Sequence, residues 1–136
     1  MTNAEKKKYL NSYLNMQKEI DSKREMIEYI RQRELGKAIT YSDMPKGTSI
    51  HDLSDYAADL DDIVRKYEEC CALAVIRMKE ITAAIDELDN VEERIILRSR
   101  YILGHDWEKI AEQLHHSWRH TLRIHGNALE HFEKMS

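Results

Sequence analysis

The stretch Trp107-Glu108-Lys109-Ile110-Ala111-Glu112-Gln113-Leu114-His115-His116-Ser117-Trp118-Arg119-His120-Thr121-Leu122-Arg123-Ile124 decides the reading of this 136-residue chain. Trp107, Ile110, Ala111 and Leu114 recur at three-four spacing behind Asp106, a good N-cap, and predict a short helix over 107–114. Only His115-His116-Ser117 separates it from a second apolar series, Thr121, Ile124, Ala128 and Phe132. Ser117 suits the N-cap of that second helix, which is expected to run to about Lys134. Two helices joined by so short a turn, with small Ala111 where they cross, meet the geometric demands of a helix-turn-helix. The second helix then presents Ser117, Trp118, Arg119, His120 and Arg123 near its N-terminal end, with His125 one turn on. Arginine pairs bidentately with guanine, and a serine with free backbone amides suits phosphate. Trp118 fits a wedge, a packing residue against the sugar-phosphate backbone, or a core position.

Upstream, Asp89 or Asn90 can cap a further helix, with Glu92 and Glu93 favourable in its first turn. Ile95, Ile96, Tyr101 and Ile102 give it a buried face, and Gly104 a stop. Arg98 and Arg100 on this helix are candidates for backbone phosphate, or partners for Glu92 or Glu93.

Further upstream lie two long amphipathic patterns. Tyr13, Met16, Ile20, Ile27 and Ile30 mark a helix from about Asn3 to Leu35, interrupted by Lys23 and stopped at Gly36. Residues 36–52 hold the only Pro, within Ser42-Asp43-Met44-Pro45-Lys46-Gly47, and are expected to form a loop. Leu53, Tyr56, Leu60, Ile63, Tyr67, Cys70, Ala74, Ile81, Ala84 and Leu88 then sustain the repeat, with only Arg77 intruding. Val64, Cys71, Met78 and Ile85 widen that stripe beyond what one partner helix needs. Neither long helix can stand alone in water. An antiparallel hairpin over 1–88 is expected, with the surplus stripe used for self-association or for packing onto the 89–136 module.

Composition agrees with an all-α protein: 42% hydrophobic and 34% charged residues, one Pro and four Gly. No apolar run approaches the length of a membrane span, and the polar start with Lys6-Lys7-Lys8, read as a solvated helix end, is not a signal peptide. A cytoplasmic protein with no membrane partner is expected. Adjacent Cys70-Cys71 cannot readily pair with each other and suit reduced helix positions. The net charge of −4 argues against binding nucleic acid by bulk charge. Its distribution is uneven, because residues 91–136 are neutral and no acidic residue lies between Glu112 and Glu130.

The run Leu88-Asp89 through Glu93-Arg94, Leu97-Arg98, Arg100-Tyr101 and Gly104 to Trp107-Glu108-Lys109-Ile110-Ala111-Glu112-Gln113-Leu114 and Ser117 resembles region 4 of bacterial sigma factors. Its continuation through Leu129, with the Ser42–Gly47 stretch, is similar to small phage and prophage proteins of low-GC Gram-positive bacteria. It is similar also to phage late-transcription regulators of the ArpU and RinA type. The resemblance implies a sigma-region-4-like helix-turn-helix over 89–136 that reads duplex DNA. Three positions depart from the pattern. His115 stands where the turn usually carries Gly, Thr121 where Val is usual, and Trp118 where a small or basic residue is usual.

The expected function is a phage-encoded transcriptional regulator, a homodimer or higher oligomer, with RNA polymerase a candidate second partner. Two alternatives belong to other classes: an interaction protein docking on RNA polymerase or a phage assembly factor without reading DNA, and a small-terminase-like packaging protein. Signatures of enzymes are absent: no phosphate-cradling Gly loop, no nucleophile elbow, no His-Glu metal motif. Asp55, Asp59, Asp61 and Asp62 spread around an exposed helix face. No catalytic residue and no cofactor are expected. His116 and His120 at i, i+4 have metal-ligand spacing, but no nearby Cys or third carboxylate is evident, so no metal is expected either.

Overall fold

The computed structural model describes residues 1–41 and 50–135, with side chains over 1–33 and 55–135. Among these residues the protein is all-helical: α1 (Asn3–Tyr41), α2 (Ile50–Asp86), α3 (Val91–Tyr101), α4 (Trp107–Leu114) and α5 (Trp118–His131). No helix among them is long and apolar enough to cross a membrane.

The three short helices start where the local chemistry dictates. Asn90, Asp106 and Ser117 each have extended backbone, and each side chain accepts from the amide three residues on: Glu93, Lys109 and His120. The helix ends are as local. Gly104 takes φ of 73° just past α3, and His115 takes φ of 57° just past α4. At His115 the turn is a Schellman motif, with the His115 amide donating to Glu112 O and the His116 amide to Ala111 O. The left-handed geometry expected of this turn is kept without glycine, at a cost of about 1–2 kcal/mol for a side chain there.

The long helices differ from expectation in extent. Gly36 does not stop α1, which continues to Tyr41, and α2 begins at Ile50 rather than Asp52. A single interior glycine costs only about 1 kcal/mol relative to alanine, too little to end a helix flanked by good formers. Of the loop expected over 36–52, residues 36–41 and 50–52 are helical, and residues 42–49, with the Ser42–Gly47 stretch, lie outside the described residues.

The chain divides into two compact units: Met1–Met16 with Leu73–Ser136, and Gln17–Ala72. The sequence pattern predicts a boundary at 88/89. The first unit instead gathers the start of α1 and the end of α2 with the short helices. Its core joins Tyr9, Leu10, Ile81, Ala84, Ile85, Leu88, Leu97, Tyr101, Ala128, Leu129 and Phe132. The expected packing of the α2 stripe onto the C-terminal module is present here. Tyr9 and Leu10 lie outside the apolar series that marks α1 in the sequence, yet both are buried.

Two apparent breaks in pattern are explained locally. Arg77, the intruder in the α2 stripe, lies 5.3 Å from the centre of the Tyr9 ring, donates to Ser12 Oγ at 2.6 Å and pairs with Glu80 at 3.5 Å. Lys6 is not simply a solvated end: its Nζ donates to Leu129 O at 2.7 Å, satisfying a carbonyl near the end of α5.

The second unit is built of α1 and α2 segments. Ile20 and Ile27 are its buried apolar side chains among the described residues. Arg24 donates from Nε to Tyr67 Oη at 3.1 Å, joining the two helices. Much of the rest is surface pairing within a helix: Lys23 with Glu19, Arg24 with Asp21, Lys66 with Asp62.

Candidate nucleic-acid interface

α5 has two opposed faces. Thr121, His125, Ala128 and Leu129 are buried. Thr121 is fully buried, and its hydroxyl donates to Ser117 O at 2.9 Å. A polar side chain is therefore accommodated without an orphan group. The opposite face carries exposed Trp118, Arg119, Leu122 and Arg123. Trp118 is 52% exposed and is not a core residue.

Ser117, Arg119, His120 and Arg123 line one open cleft of about 340 Å³ at the start of α5. No carboxylate is among the described residues that line it. The α5 N-terminus supplies the positive end of the helix dipole, and two guanidiniums flank it. Such a cleft suits an anion with several acceptor oxygens. Arg123 Nη2 donates to His120 Nδ1 at 2.6 Å, which holds that guanidinium beside the imidazole.

The remaining candidates are held elsewhere. Arg98 pairs with Asp86 at 3.1 Å. Arg100 donates to His105 O at 3.2 Å and lies 4.6 Å from the centre of the Trp107 ring. Neither pairs with Glu92 or Glu93. Those carboxylates meet histidines instead: Glu92 Oε2 lies 3.0 Å from His116 Nε2, and Glu93 Oε1 3.0 Å from His131 Nδ1.

His125 is not on the exposed face. It is buried, with Nε2 2.7 Å from Tyr101 Oη and the Trp107 ring edge-on at 4.6 Å. Burial, reinforced by nearby Lys7 and Arg100, pushes its pKa down to about 4, and burial pushes Tyr101 up to about 12. His125 is neutral at physiological pH and fixes α5 to α3 and α4.

The spatial neighbourhood of His116 also corrects the expectation from sequence. A carboxylate is near after all, as a third ligand: Glu92, His116 and His120 each offer a ligand atom within 4.8 Å of the other two. Glu92 precedes His116 by 24 residues and comes from the first turn of α3, so helical spacing gives no sign of it.

No family model matches the chain, and comparisons with curated proteins and with solved structures find no match.

Proposed function

We propose that α4 and α5 form a helix-turn-helix that reads duplex DNA, and that the protein is a phage-type transcriptional regulator. The observation that carries this reading is the cleft at the start of α5. Four residues singled out from the sequence, Ser117, Arg119, His120 and Arg123, converge there without a carboxylate. Arg119 and Arg123 are the base or phosphate contacts; Ser117 caps the helix whose free amides face phosphate. Arg98 and Arg100 serve at most as backbone contacts, since both are already engaged. The phage assignment is supported by sequence resemblance alone.

On this reading α1 and α2 form an antiparallel hairpin that associates with a second copy. The support is a contact between α1 and α2 within each unit: Ser12 meets Arg77 in the first, and Arg24 meets Tyr67 in the second. Leu73 and Ile76, three residues apart on α2, are more than half exposed and offer an apolar strip for the second copy. Two coupled modules offset the weakness of one that carries few cations.

The test is selection of bound sequences from random duplexes at low salt, with solution mass measured in parallel. Enrichment of one discrete site supports the regulator. Arg119→Ala with Arg123→Ala should weaken binding to that site by about 1–3 kcal/mol for each base no longer read, while leaving the helical spectrum unchanged. No enrichment would sink the DNA reading. The docking alternative draws its support from Trp118 and Leu122, exposed one turn apart on the same outer face. It predicts that Trp118→Ala abolishes capture of RNA polymerase and that no DNA sequence is selected.

A further inference from the structure

We propose that Glu92, His116 and His120 form a binding site for a divalent transition-metal ion of the zinc class. The three side chains come from three places in the fold: the first turn of α3, the turn between α4 and α5, and the first turn of α5. Each is half-buried, and their ligand atoms lie within 4.8 Å of one another. The His116 and His120 rings stand perpendicular with centres 4.4 Å apart, and His116 Nε2 already meets Glu92 Oε2 at 3.0 Å. Zinc bonds to nitrogen and oxygen at about 2.0–2.2 Å, which sets tetrahedral ligands about 3.4 Å apart. Small side-chain rotations bring these three to that spacing. Two imidazoles with one carboxylate favour zinc, copper or nickel over magnesium or calcium, which take oxygen ligands. The fourth position is left to water.

The neighbouring hydrogen bond defines what loading does. Arginine can only donate, so His120 Nδ1 accepts from Arg123, and the neutral ring carries its proton on Nε2. Ligation through Nδ1 takes the lone pair that Arg123 uses. Ligation through Nε2 requires the proton to move to Nδ1, which then has nothing to accept with. By either route the ion releases Arg123 from His120, and Arg123 remains a lining residue of the cleft it shares with Ser117 and Arg119. The ion also joins α3 to the start of α5. If α5 reads DNA as proposed above, metal loading raises DNA affinity by freeing Arg123 and adding positive charge beside it. That consequence rests on the DNA reading; the metal site does not.

The test titrates the full chain with Zn²⁺ against a chromophoric chelator and repeats it with Co²⁺ for its visible spectrum. The expected result is one equivalent bound, no displacement by Mg²⁺ or Ca²⁺, and a Co²⁺ spectrum without a thiolate charge-transfer band. His116→Ala, His120→Ala and Glu92→Gln should each lose binding, and Glu92→Gln preserves shape and hydrogen bonding as the control for folding. His115→Asn, at the exposed neighbour, and Cys70→Ser/Cys71→Ser should retain it. Arg123→Ala should bind Zn²⁺ more tightly, because the competitor for His120 is gone. Failure of the chain to bind Zn²⁺, or retention of binding in the folded Glu92→Gln and His120→Ala chains, overturns the site. Selection of duplexes with and without Zn²⁺ then separates the two proposals. Zinc binding with no duplex selected under either condition removes the DNA reading and leaves the metal site standing.

Discussion

The two compact units use the same secondary structure and are held by different means. In Met1–Met16 with Leu73–Ser136, short helices are pinned by side-chain caps and enclose a continuous core that includes fully buried Leu10, Ile81, Ile85, Leu97, Leu129 and Phe132. Among the described residues of Gln17–Ala72, the buried apolar side chains are Ile20 and Ile27, and exposed ion pairs run along the helices. Exposed pairs contribute little, typically under about 1 kcal/mol each. The contrast teaches that a sustained three-four stripe marks helicity in both units but marks a dense core only where several helices converge. The proposed reading face sits on the unit with the dense core, which suits a surface that must present arginines in fixed register.

The contrast can be broken most directly by truncation. Phe132→Ala removes a fully buried ring from the converging core and should lower unfolding free energy by about 3–5 kcal/mol in urea titrations. Ile27→Ala should cost less, toward the lower end of about 2–5 kcal/mol, because Ile27 is smaller than Phe132 and keeps some exposure. Equal losses would erase the distinction between the units.

A second prediction concerns acid. The folded pKa of His125 is depressed from 6.5 to about 4, so the unfolded chain binds the extra proton first as pH falls. Its contribution is full above pH 6.5 and declines as pH falls from 6.5 through 4, amounting to about 3 kcal/mol. Chemical denaturation across that window should show the decline, and His125→Gln should flatten it. An unchanged slope in the variant would mean that another group governs the acid limb.

The smallest effect sharpens the same region. His115→Gly relieves the positive φ at the α4–α5 turn and should raise stability by about 1 kcal/mol, read as a higher melting temperature. Destabilisation by that change would show that the His115 side chain makes a compensating interaction.

Local chemistry is legible in the sequence, and convergence is not. Asn90, Asp106 and Ser117 announce the three short helices because a cap acts on an amide three residues away. Ile110 and Ala111 on α4, and Thr121 and Ala128 on α5, follow from periodicity. So does the all-helical class, from the scarcity of Gly and Pro. His125 stands four positions after Thr121 and three before Ala128, so its spacing fits the inner face; its polar side chain argues for the outer one, because the sequence does not show that Tyr101 offers a buried partner. Glu92 escapes notice because a ligand set drawn from two helices and a turn leaves no short motif. Arg98 has no carboxylate three or four positions away on α3, and its actual partner, Asp86, closes α2 twelve positions upstream, where no helical spacing points. Gly36 has the look of a helix stop, but its small cost does not end α1.

The burial of Tyr9 and Leu10 beside Leu129 and Phe132 has a kinetic corollary. Lys6 and Leu129, joined by a hydrogen bond, are 123 positions apart in the chain. Pairings between such distant residues require a long loop to close before they contribute, which slows folding relative to a helical protein built from local neighbours. On the ribosome, the first turns of α1 emerge long before the residues that cover them. Residues of α2 and α3 cover them only in part, and the cover is completed when α5 has been made, so this core closes late in synthesis.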